Sequence, residues 1–136
     1  MKETPKITPD LLVQAYKAGV FPMAEDASDD ALFWVDPPER GIIPIDGFHA
    51  SRSLIKRIKS DIYEASLNKC FSRVMENCAA RKVTWINRPI TELFTELHHQ
   101  GLAHSMEIWR NDKLIGGVYG LALGGAFFGE SMFSTQ

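Results

Sequence analysis

Cysteine is scarce: Cys70 and Cys78 are the only two in 136 residues. They stand eight apart in a stretch of helical periodicity, too far along one helix to bridge, and no histidines accompany them at ligand spacing. A disulfide scaffold and a cysteine-rich metal module are therefore excluded, and the pair reads as buried thiols of a reducing compartment. The chain also lacks a signal-peptide pattern, and it has no apolar run of membrane-spanning length free of glycine. The simplest expectation is a cytoplasmic protein without a membrane partner. Charge of one sign is missing too. With 15 Lys and Arg against 17 Asp and Glu, the net charge of -2 gives no bulk affinity for polyanions. Any nucleic-acid contact must come from a local patch.

What the chain does have is glycine inside apolar sequence near its end. Two apolar runs, 114–123 and 126–133, flank Gly124-Gly125, where positive φ at both positions predicts a hairpin. Gly116, Gly117 and Gly120 interrupt the first run and Gly129 the second. Glycine within a strand marks a bulge or a close approach of backbone or ligand. Glu130 follows Gly129 as a lone carboxylate between Phe127-Phe128 and Met132-Phe133. Burying it unpaired is costly, so two readings stand. Either it meets an amino group of a ligand across a cleft, or it points at solvent or a structural arginine.

The preceding chain supplies helices and short strands. Residues 1–7 are polar and expected to be loose. Thr8-Pro9-Asp10 starts a helix, Leu11, Leu12, Ala15 and Tyr16 repeat at helical spacing, and Gly19 ends it. Residues 20–23 leave extended. Glu25, Asp26, Asp29 and Asp30 lack the calcium-loop pattern and read as a solvated loop. Residues 32–35 and 42–45 are strand candidates, the second holding a proline that suits an edge. Ser51 caps a basic helix in which Arg52, Lys56 and Lys59 line one face, with Arg57 nearby and Leu54, Ile55 and Ile58 on another. Such a row neutralises phosphates without reading bases, or is simply a solvated face.

Residues 62–67 read as a strand. Asn68 is placed to cap a helix whose Phe71, Val74, Met75 and Cys78 form a core stripe. Trp85 lies among polar and basic neighbours, where it either stacks on a nucleobase or covers the core as a lid. Pro89 opens a third helix with Ile90, Leu93, Phe94 and Leu97 buried and Gly101 ending it. His98, His99 and His104 match no zinc spacing, and no metal site is expected. Residues 104–110 then form a strand and Asn111-Asp112 a tight turn. The later half thus reads as α+β, an antiparallel meander backed by two helices, after a turn-rich start. The shift in character near residues 60–68 divides 1–62 from 63–136. The apolar final strand has nothing after it to cover its sheet, which points to a fragment or to a subunit completed by something else.

Assembled, these pieces resemble the bacterial leucyl/phenylalanyl-tRNA–protein transferase family. The resemblance is carried by Ala15-Tyr16-Lys17-Ala18-Gly19-Val20-Phe21-Pro22-Met23, Phe33-Trp34-Val35-Asp36-Pro37 and His49-Ala50-Ser51-Arg52-Ser53-Leu54. It continues through Thr84-Trp85-Ile86-Asn87, His104-Ser105-Met106-Glu107-Ile108-Trp109-Arg110, Gly116-Gly117-Val118-Tyr119-Gly120 and Phe128-Gly129-Glu130-Ser131-Met132-Phe133-Ser134.

The resemblance implies transfer of leucine or phenylalanine from aminoacyl-tRNA to proteins with N-terminal lysine or arginine, marking them for degradation. It implies a small mixed N-terminal domain (1–62), then the first part of a GNAT-like transferase domain (63–136). No cofactor follows from it, coenzyme A included, and neither DNA nor a membrane is among the partners. Trp85 matches the tryptophan that stacks on the terminal adenine. Val118 and Phe127 match the side-chain pocket, and Glu130 matches the carboxylate near the aminoacyl group. Arg52 and Lys56 match basic positions facing the acceptor end, a row that Arg57 and Lys59 extend.

The segment proposed for catalysis in the family lies beyond Gln136, so catalytic residues stay unassigned, and Thr135 occupies a position where arginine is commonest. Two other readings carry different consequences. A non-catalytic aminoacyl-tRNA-binding remnant would keep Trp85 and the basic helix. A coenzyme A acyltransferase would need a glycine-rich loop opening a helix, and the sequence shows none.

Overall fold

The computed structural model describes residues 6–136. The loose start expected for residues 1–7 lies largely outside them. Helix α1 (Pro9–Ala18) begins as its sequence dictates, with Thr8 Oγ1 accepting the Leu11 amide at 3.1 Å. It ends at Gly19, whose φ of 90° a residue with a Cβ rarely adopts. Strands β1 (Phe21–Met23) and β2 (Phe33–Val35) pair antiparallel as a small separate ribbon. The strand expected at 42–45 does not form. Ile42, Ile43 and Ile45 are exposed, and Pro44 removes a ladder donor from a segment with no strand beside it.

Helix α2 (Arg52–Ile58) is capped by Ser51 Oγ, which accepts the Leu54 amide at 3.2 Å. It buries no residue, and its apolar side chains Leu54, Ile55 and Ile58 are exposed with its basic ones. Strand β3 (Glu64–Leu67) follows, then α3 (Phe71–Ala79), α4 (Arg88–His99), β4 (Ala103–Arg110), β5 (Lys113–Leu123) and β6 (Ala126–Ser134). Asn68 does not cap α3. It sits at φ 57° and ties β3 to β4, its Oδ1 accepting the Ser105 amide at 3.0 Å. Asparagine tolerates this left-handed conformation, so it serves the strand end and leaves the cap position to Cys70.

The four strands β3-β4-β5-β6 form one antiparallel sheet in chain order, and the class is α+β as the sequence implies. Asn111 and Asp112, both at positive φ, turn β4 into β5. In the next turn only Gly124 is at positive φ, not both glycines. Helices α3 and α4 pack on one face of the sheet, and α1 packs on α4. Their stripes meet Tyr119, Leu121 and Ala103 in a core that also takes in Leu12, Tyr16 and Ala24 from the start of the chain. Alternation along β4 follows from this: Ala103, Ser105 and Glu107 are buried, while Met106 on the other face is exposed. That outer face is apolar and open, with Leu67, Phe127 and Met132 exposed.

Candidate functional site

The hairpin of β5 and β6 holds the central irregularity. Gly120 pairs with Gly129 but Tyr119 pairs with Ser131, so Glu130 is one extra residue in β6, a β-bulge. A Cβ at Gly120 would collide with the Phe128 carbonyl oxygen and the Phe127 ring, so only glycine admits β6 this close. The bulge sends two successive side chains to the helix side. Glu130 Oε1 accepts a hydrogen bond from the Tyr16 hydroxyl at 2.6 Å, and Ser131 meets the Cys78 thiol.

Tyr16 is itself wedged edge-on between Phe94 and Phe128, at centroid distances of 6.4 and 5.3 Å. The guanidinium of Arg40 lies 5.0 Å from the centre of the Phe21 ring and 5.8 Å from that of Phe128. Burial pushes the Glu130 carboxyl up from the ordinary range to about 7, although the Tyr16 hydrogen bond and the Arg40 charge both pull it down. Burial, then the charge of Glu130, drives the Tyr16 hydroxyl far above its usual value. Tyr119 is raised for the same two reasons, and its buried hydroxyl has no hydrogen-bond partner among the described residues. A carboxyl of this kind can hold an ammonium group or exchange a proton near neutral pH.

The other predicted residues distribute around this point. Val118 and Phe127 lie on the outer face, where they border an apolar hollow of about 280 Å³ with Leu67, His104 and Met106. Val118 also borders a neighbouring hollow of about 460 Å³, whose lining includes Met132, Arg57 and Arg110. Val118 therefore joins the two hollows, while Glu130 hangs from the opposite side of β6. Trp85 is half-buried against the core, and its carbonyl accepts the Ala24 amide at 3.2 Å. Arg52, Lys56, Arg57 and Lys59 are exposed, and none makes an ion pair among the described residues. Arg57 donates to the Tyr63 hydroxyl at 3.4 Å.

Two of the histidines make structural contacts. His98 stacks on Phe71 at 4.2 Å and bonds the Ala103 carbonyl at 2.9 Å, while His104 meets the Asn68 side chain at 3.0 Å. Cys78 is buried and Cys70 only half-buried, both thiols free and raised by burial. Sequence reasoning missed Tyr16, Arg40 and Tyr119 around Glu130. Tyr16 was legible only as one member of a core stripe, and nothing local ties Arg40 to a residue ninety positions away. Glu107 was missed as well. Fully buried, it accepts from Ser66 Oγ at 2.7 Å and from the Lys69 amide at 2.9 Å, locking the β3–α3 junction.

Comparison with known proteins bears on what this arrangement is for. Residues 42–136 match the family described as leucyl/phenylalanyl-tRNA protein transferase, and residues 6–38 match its N-terminal domain. The chain belongs to this family. It is 58% identical over 130 residues to a leucyl/phenylalanyl-tRNA–protein transferase of Ruegeria sp. (strain TM1040), covering 96% of this chain and 62% of the relative. A protein of the same name from Jannaschia sp. (strain CCS1) is 52% identical over 132 residues, covering 97% of this chain and 62% of its own length. One from Rhodopseudomonas palustris (strain BisB18) is 51% identical over 131 residues, covering 93% and 57% respectively. The chain thus spans about three-fifths of the length of the curated relatives it matches. No described helix is long and apolar enough to cross a membrane.

Proposed function

We propose that this chain recognises the aminoacyl end of a charged tRNA for an enzyme that transfers leucine or phenylalanine to proteins with N-terminal lysine or arginine, marking them for degradation in the cytoplasm. The observation that carries the reading, beside family membership, is the apolar hollow at Val118 and Phe127 on a strand pair that also bears the perturbed carboxyl of Glu130. An unbranched-β or aromatic side chain fits an apolar hollow of this kind, and selection there is by size, with modest discrimination per methylene. Trp85 stacks on the terminal adenine. Arg52, Lys56, Arg57 and Lys59 meet acceptor-end phosphates on the exposed helix α2. Residues 1–62 and 63–136 act as two parts of this site.

The reaction needs no cofactor. An aminoacyl ester is already activated, so a free α-amine attacks its carbonyl directly, the tetrahedral oxyanion collapses, and the tRNA 3′ oxygen leaves with a proton. The family resemblance gives Glu130 the α-ammonium of the aminoacyl group, or the proton that the attacking amine gives up, although its carboxyl lies on the helix side of β6, across the strand pair from the hollow. The alternative, a chain that binds aminoacyl-tRNA without transferring the amino acid, shares the binding half of this reading.

One experiment addresses both. Binding of a non-hydrolysable phenylalanyl-adenosine amide is measured by calorimetry, and transfer of labelled leucine to an N-terminal arginine peptide is assayed beside the full-length Ruegeria relative. The expected result is saturable binding that Trp85→Ala weakens by roughly 1–3 kcal/mol. Transfer separates the enzyme from the binding remnant. A chain that does not bind the analogue, or a Trp85→Ala variant that binds as well as the parent, overturns the reading.

A further inference from the structure

Glu130 is held by residues that the sequence places far from it. Among the described residues its only side-chain hydrogen bond is from the hydroxyl of Tyr16, which lies 114 positions earlier in α1. Tyr16 falls within residues 6–38 and Glu130 within 42–136, so the bond joins the two separately matched parts of the chain. Arg40 lies in the short stretch between those parts. Its guanidinium covers the rings of Phe21, from the first part, and Phe128, from the second. The charged and titratable groups that face Glu130 are thus Tyr16 from α1, Arg40 from the loop after β2, and Tyr119 from β5.

These three differ in what they do. Tyr16 donates a hydrogen bond to the carboxyl, Arg40 supplies a positive charge, and Tyr119 makes no hydrogen bond to it. The strand ladder does not set the side-chain direction of an extra residue in a bulge, so its packed neighbours do. Tyr16, wedged between Phe94 and Phe128, has no such freedom.

We infer that Tyr16 and Arg40 are positioning residues: they fix the bulged Glu130 carboxyl group in one orientation, so that the start of the chain completes a site carried by the β5–β6 hairpin. The inference rests on the reading of Glu130 as the group that meets the aminoacyl amine. Its physical basis is general: a carboxylate within a site is effective only when its rotamer is locked by neighbours whose own rotamers are locked.

The test follows the Glu130 carboxyl directly, by carbon-13 NMR titration of glutamate-labelled chain, with Glu130→Gln assigning the signal. Affinity for the phenylalanyl-adenosine amide is measured in parallel. Because the hydroxyl favours the ionised form, Tyr16→Phe should raise the titration midpoint by about one pH unit and weaken the analogue about tenfold. Combining it with Glu130→Gln should weaken binding no further than Glu130→Gln alone. Arg40→Met, a change at an exposed position, should move the midpoint in the same direction, and it decides the matter should Tyr16→Phe not fold. Folded variants whose Glu130 midpoint stays at the parent value overturn the inference. A raised midpoint together with analogue binding indifferent to Glu130→Gln upholds the positioning of the carboxyl and overturns the role given to Glu130 in the proposed function.

Discussion

Glu130 shows how one carboxyl acquires a pH dependence. Its folded-state value is raised to about 7 from an ordinary 4.5, chiefly by burial, so the folded chain holds this proton more tightly than the unfolded chain. The resulting stability is full below the ordinary carboxyl range and is lost as pH rises through about 7. The shift corresponds to about 3 kcal/mol at most. Glu130→Gln should therefore flatten the dependence of stability on pH between about 5 and 8, and the variant should be more stable than the parent at the upper end. Urea melts across that range check both signs, and a parent whose stability rises with pH there would contradict the assignment. A lone glutamate after glycine in an apolar run was legible as unusual. Its partners were not, since hydrogen bonding across 114 positions leaves no local pattern.

At the scale of elements, the β5–β6 hairpin and helix α2 make opposite cases. Gly120 admits β6 at a distance no Cβ tolerates, while Gly124 has open space around it but a φ of 57°. Gly120→Ala should cost about 3 kcal/mol because backbone must move. Gly124→Ala should cost only about 1 kcal/mol, from conformation alone. Chemical denaturation orders the two, and equal costs would mean that the close approach relaxes freely. Helix α2 buries nothing and, with its C-cap Lys59, presents four cations without acidic partners among the described residues. Reversing Arg52 and Lys56 to glutamate should weaken tRNA binding and reduce its salt slope by about 1.5, for two lost phosphate contacts. Unchanged affinity and slope would make α2 a solvated face.

For the whole molecule, the decisive feature is asymmetry. Helices α3 and α4, with α1 packed on α4, cover one face of the four-stranded sheet, and the other face leaves Phe127 55% and Met132 65% exposed beside the half-buried Val118. Open apolar area on a sheet face drives association. The chain should self-associate at high concentration, and Phe127→Lys with Met132→Lys should abolish this, as read by sedimentation velocity. A parent monomeric at millimolar concentration would show that the face is inert.

The order of elements apart from the strand expected at 42–45, the core stripes of α3 and α4, the caps of α1 and α2 and the final hairpin followed from the sequence by itself. They depend on neighbours three or four residues apart, on glycine and on proline, and those interactions are local. Family membership was equally legible, because whole blocks of residues recur in order. Tertiary structure alone decided what the isoleucines at 42–45 do, since a strand exists only where a partner offers its hydrogen bonds. It also drew Asn68 away from the α3 cap and into β4. Above all, it placed Tyr16 and Arg40 around Glu130. Their meeting depends on how α1 packs against α4 and on one extra residue in β6, and both are set by long-range packing that no short stretch of sequence encodes.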